Sequence, residues 1–143
     1  MLPQEDCPAP YRRYPTRTAL VHLTELLHLR LDGYVQDWEV ELADASRLGE
    51  FLEWYDDAQL DDDDRFLLMG MIVASLDDAA SAGAEVGSFL ARTEHLLRRD
   101  GSLHATTLSY WARGDDPDPE HQFALTPVIR PIWHDVLQTL KHR

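Results

Sequence analysis

Asp61-Asp62-Asp63-Asp64-Arg65-Phe66-Leu67-Leu68-Met69-Gly70-Met71-Ile72-Val73-Ala74-Ser75-Leu76 is the stretch whose reading decides the fold. Phe66, Leu67, Met69, Met71, Ile72, Val73 and Leu76 lie nearly all round a helical wheel. A helix apolar on every side belongs at the centre of a protein, not on its surface. The run from Phe66 to Leu76 is well short of the roughly 18 residues that suggest a membrane span. Carboxylates at a helix start favour the positive end of the macrodipole and bond free amides, each worth about 0.3–1 kcal/mol when exposed. Four in succession, Asp61 to Asp64, exceed what capping needs.

Apolar stripes of helical period flank this centre on both sides. Leu20, Leu23, Leu27 and Leu31 mark one face of a helix from Arg17 to Leu31, with Gly33 placed as its stop. A competing reading uses the alternation of Leu27, Leu29 and Leu31, the turn signal Asp32-Gly33, and the alternation of Trp38, Val40 and Leu42. It makes residues 27–42 a hairpin or a short extended segment. Asp44 is placed to cap a helix carrying Leu48, Phe51, Leu52 and Tyr55 on one side. After the small residues Ala79 to Ala84, with Gly83 as a stop, Val86, Phe89, Leu90, Thr93 and Leu97 share the face of another helix. That helix ends with Arg98, Arg99 and Gly101, as the negative C-terminal end prefers.

Ser102 is placed to cap a shorter helix bearing Leu103, Leu108 and Trp111 as far as Gly114, and residues 115–119 read as an exposed loop. Thr126-Pro127 then reads as a cap followed by proline at the first helical position. The last stripe is Ile129, Ile132, Trp133, Val136, Leu137 and Leu140, with Pro131 either kinking this helix or moving its start towards Arg130. The expectation is an all-α or nearly all-α protein, a compact irregular bundle of five to six helices. At 143 residues it is read as a single domain over 1–143, with the Pro-rich residues 1–15 as an extended arm. With 44% apolar and 27% charged residues the composition is globular, not disordered.

The net charge of -13 is unevenly placed. Residues 1–31 hold four arginines against three acids, and residues 86–143 hold seven bases against seven acids. Between Asp32 and Glu85 there are 16 acids against Arg47 and Arg65 only. Such a field works against direct binding of nucleic acid, a polyanion held by Lys and Arg, and favours a basic partner. The plainer explanation is a solvated acidic surface that keeps the protein soluble. The first residues carry Glu5 and Asp6 where a secretory signal would carry positive charge, so a cytoplasmic location is expected. Cys7 is the only cysteine, which excludes an intrachain disulfide and a cysteine-based zinc site.

Motifs for chemistry are sparse. No G-x-S-x-G, Walker loop or G-x-G-x-x-G is present. An EF-hand reading of Asp57, Gln59 and Asp61 fails because Asp62 stands where glycine is required and Leu68 where the bidentate glutamate is required. Glu25 and His28 form one Glu-x-x-His pair, half of what a di-iron bundle needs, and His22 could join a local polar patch. Glu94-His95 and His134-Asp135 are sequence neighbours, but adjacent helical residues point about 100° apart and do not make an acid–base pair. No catalytic residue, metal or cofactor is assigned. Trp111 and Trp133 read as core, whereas Trp54, just outside its stripe and beside Tyr55, Asp56 and Asp57, is a candidate binding anchor.

The stretch Gln36-Asp37-Trp38-Glu39-Val40-Glu41-Leu42-Ala43-Asp44, then Arg47-Leu48 and Glu50-Phe51-Leu52, resembles a pattern in small bacterial proteins of unassigned activity. So does Leu60 to Asp64 with Phe66-Leu67-Leu68-Met69. The resemblance implies a bacterial, stand-alone domain and carries over no catalytic residue. The leading functional expectation is a noncatalytic acidic protein that captures a basic protein, with a toxin-immunity protein as its sharpest form. Asp56, Asp57, Asp61, Asp62, Asp63 and Asp64 would steer the partner, and Trp54 and Tyr55 would anchor it, on a surface running from about Glu39 to Asp64 and on to Asp78. Two alternatives stand beside it: a small-ligand or enzymatic helical domain with a His/carboxylate pocket between helices, and an acidic mimic of nucleic acid.

Overall fold

The structure, a computed structural model, describes residues 7–30, 42–113 and 116–142. Six α-helices and three single 3-10 turns, with no strand, are found among these residues: the protein is all-α. The helices are α1 (Arg17–Leu27), α2 (Leu48–Trp54), α3 (Asp62–Ser81), α4 (Gly87–Arg99), α5 (Ala105–Ala112) and α6 (Thr126–Lys141). No helix is long and apolar enough to cross a membrane. Contacts gather into two units, Tyr14–Leu90 and Met1–Arg13 with Ala91–Arg143.

In the Tyr14–Leu90 unit, α3 is the centre. Every residue from Phe66 to Leu76 is buried, as the all-round apolar pattern predicts. The helix is covered by α1, by α2 and by the 3-10 turn Ala45–Arg47 that leads into α2. α1 starts on the Thr16 hydroxyl, which accepts from Ala19 N, and buries Ala19, Leu23 and Leu27. It ends earlier than expected. His28 adopts a left-handed conformation with φ 51°, and Leu29 N–H returns to Thr24 O. Leu31, Gly33 and the proposed hairpin over 27–42 lie almost wholly outside the described residues. Arg47 ties the end of α1 to the start of α2: its guanidinium donates to Leu27 O and Glu50 and lies over the Phe51 ring.

Asp44 caps as expected, one turn before α2, through its carboxylate to Ser46 N at 3.0 Å. Its own N–H donates to the fully buried Ser75 hydroxyl of α3, which answers a polar group that would otherwise be costly in that core. α3 stops where predicted, with Gly83 at φ 80°. In α4 the buried positions are Thr93, Leu96 and Leu97, whereas Phe89 is 37% exposed and Val86 and Leu90 are half-buried. The expected stripe therefore shifts to include Leu96, and the Phe89 ring borders Gly49 of α2.

In the second unit α5 packs on α6. Ile129, Ile132, Trp133, Val136, Leu137 and Leu140 are all buried, matching the stripe read from the sequence. Two start signals differ from expectation. Ser102 does not cap α5: Leu103 and His104 N–H both turn back to Asp100 O, and the helix begins after His104 with no side-chain cap. Thr126 is the first residue of α6, not its cap. Its hydroxyl accepts from Phe123 N and donates to Trp111 O, so it welds the two helices of the pair. Pro127 takes the second helical position and α6 runs through Pro131. Arm residues 7–13 belong to this unit: Cys7 is buried, and Arg13 N–H donates to the Thr106 hydroxyl of α5.

Candidate functional site

The acidic candidates fall at the turn from α2 into α3. Arg65, on the first turn of α3, folds this turn over itself by donating from Nε to Tyr55 O and from Nη2 to Asp57 O, both at 3.1 Å. The Asp57 carboxylate accepts from Gln59 N, and Leu60 drops into the core. Asp61 and Asp64 then form a reciprocal capping box, Asp61 Oδ1 accepting from Asp64 N at 2.9 Å and Asp64 Oδ2 from Asp61 N at 3.1 Å. The eight sequence candidates therefore do different jobs.

Tyr55 is fully buried and packs in the core, so it presents nothing to a partner. Asp64 is 2% exposed, and its carboxylate is spent on the cap and on His22. Asp61 is exposed but committed to the cap, and Trp54 and Asp57 are half-buried. Asp56 and Asp62 are exposed and Asp63 is half-buried. The Asp62 side chain is 71% exposed, with Arg65 at 4.0 Å. Asp77 and Asp78 sit near the far end of α3, about 22 Å from Asp62 and Asp63 at 1.5 Å rise per residue.

Charge divides as sharply as the contacts do. The Tyr14–Leu90 unit holds seventeen Asp and Glu against four arginines, the whole net charge of -13. The other unit balances nine acids against nine bases. Pairing inside the acidic unit cannot neutralise it: Arg47 serves Glu50, whose carboxyl it holds below the usual range, and Arg65 is turned to backbone carbonyls.

One contact escaped the sequence reading. His22 Nδ1 lies 2.8 Å from Asp64 Oδ2, with the histidine 39% exposed and the carboxylate buried. A carboxylate only accepts, so the ring donates from Nδ1. The partners are 42 residues apart on α1 and α3, and no local spacing signals the pair.

In the neutral unit Glu94 and Asp135 do not pair with the histidines next to them in sequence; both reach Arg98, at 3.0 and 2.8 Å. Asp116 and Asp118 flank His121 at 2.7 and 3.5 Å. The Asp116 carboxyl is held below its usual range by the Asp118 N–H and by His121. His104 is fully buried, and burial pushes its imidazole down to about 3. Among the described residues no group of three or more His, Cys, Asp and Glu side chains is placed to hold a metal. Comparison of the chain with protein-family models, with curated proteins and with solved structures finds no match.

Proposed function

We propose that this chain is a noncatalytic acidic binding protein whose Tyr14–Leu90 unit captures a basic protein. The observation that carries this reading is the confinement of the entire net charge to that unit. Fields of one sign raise encounter rates with a partner of the other sign and decay over a Debye length of about 8 Å at physiological salt. Asp62 and Asp63 at the head of α3, with Asp56 in the turn before it, are the steering residues, and the half-buried Trp54 at the end of α2 is the apolar contact. In its most specific form the partner is a toxin with a basic, nucleic-acid-binding cleft, and the protein is a cytoplasmic bacterial immunity protein.

The small-ligand or enzymatic reading has one observation in its favour, the His22–Asp64 pair, because a carboxylate that orients an imidazole is an arrangement used in acid–base catalysis. A single histidine–carboxylate pair defines no reaction by itself, whereas the charge of the whole unit supports capture, so the binding reading is preferred. The test is capture of basic proteins by the intact chain at low and moderate salt, beside a variant carrying Asp56→Asn, Asp62→Asn and Asp63→Asn. The expected result is a specific basic protein held by the parent and released from the variant. Recovery of none at either salt, or equal recovery by both chains, removes the reading.

A further inference from the structure

The charge-neutral unit carries an open pocket of about 80 Å³ where the end of α4 meets α6. Its polar lining is Arg98, Arg99, Ser102 and Thr139, and Val136 and Leu140 supply apolar walls. The volume is that of two or three waters at about 30 Å³ each, or of one tetrahedral oxyanion. Gly101 shapes the wall: a Cβ there would lie 2.9 Å from both Val136 methyls, so only glycine lets the loop lie this close to α6.

The lining is rich in donors. Guanidinium groups donate and never accept, and hydroxyls can donate. Thr139 spends its donor on Asp135 O, so the donors are the guanidiniums and the Ser102 hydroxyl, and the group that complements them is one that only accepts, an oxyanion. Carboxylates on the rim hold the arginines in place. Arg98 donates from Nε to Glu94 and from Nη1 to Asp135, which leaves Nη2 uncommitted among the described residues, while Arg99 leans on Asp100. The Glu94 and Asp135 side chains are 42% and 68% exposed. Exposed pairs of this kind are weak in water, so an incoming anion can share the guanidinium.

We infer that this pocket binds a small oxyanion, a phosphate group either free or carried on a small metabolite, through Arg98, Arg99 and Ser102. The site is independent of the acidic surface and of the proposed capture function. Because three carboxylates stand at the rim, half-saturation is expected on the order of 1 mM, about -4 kcal/mol.

The test is an amide chemical-shift titration of the intact chain with sodium phosphate, with a phosphomonoester, and with sodium chloride at matched ionic strength. Chloride separates binding from the screening that any salt exerts on so acidic a protein. Saturable shifts at Gly101, Ser102 and Thr139 in the phosphate series only are expected, weakened at least fivefold by Arg98→Gln and by Ser102→Ala. Ser102 is exposed and caps nothing, so its variant folds even if the arginine variant does not. Tighter binding of the phosphomonoester assigns the site to a phosphorylated metabolite, and equal binding to phosphate itself. Identical responses to phosphate and chloride, or shifts unchanged in Ser102→Ala, overturn the proposal.

Discussion

Acidification tests the interior at His104. The ring is fully buried, and burial, opposed by Asp100 and aided by Arg13 and Arg99, takes it down to about 3. The unfolded chain holds the same ring near 6.5. Above 6.5 neither state binds the proton, so the stability is complete. Below 6.5 the unfolded state protonates and the native state does not, and stability falls until the native ring titrates near 3. Linkage gives a loss of about 2 kcal/mol at pH 5 and about 3 kcal/mol at pH 4. The seventeen acids of the other unit act in the opposite sense, because protonation relieves their repulsion, and the comparison must cancel them. Urea unfolding of the parent and of His104→Leu at pH 7.5 and pH 5 does so. With a slope of about 2 kcal/mol per molar urea, the parent midpoint should fall on the order of 1 M further than that of the variant. Parallel pH dependence in the two proteins would refute a buried neutral imidazole.

Two further changes probe the scaffold. Gly101→Ala drives a Cβ to 2.9 Å from both methyls of Val136 and should cost about 1–2 kcal/mol in chemical denaturation; the cost should shrink in the double variant with Val136→Ala, and equal costs would show that the contact is not the cause. Asp64→Ala removes half of the capping box and the His22 bond together, with an expected loss of about 2–3 kcal/mol, whereas Asp62→Ala on the same turn should stay within about 0.5 kcal/mol; similar losses would refute the division of labour among the four aspartates.

Much of the scaffold was legible because helices advertise themselves locally. The six-residue stripe of α6 came through entire, and so did the burial of Trp111 and Trp133, since apolar residues spaced by three and four have only one side to hide. Helix ends were less legible. Thr126 and Ser102 are good capping residues by type, yet Thr126 spends its hydroxyl on Trp111 O and Ser102 is bypassed by a turn that closes on Asp100 O. Propensity is a weak prior, and a tertiary bond of about 1 kcal/mol is enough to override it. The acidic site was legible only as composition. Four aspartates in a row look alike, and Asp64 is told apart from the others by its contact with His22 of α1.

The sequence by itself determined the helical class, the buried central helix and the strong negative charge, because period and composition are properties of a chain read one residue at a time. Tertiary structure alone decided that Asp64 meets His22, that Asp64 goes inward on the same turn as an outward Asp62, and that Arg98 and Arg99 border a pocket. Each of those facts joins residues far apart in the chain or assigns a side to residues that are neighbours in it, and only packing brings such groups together or turns them apart.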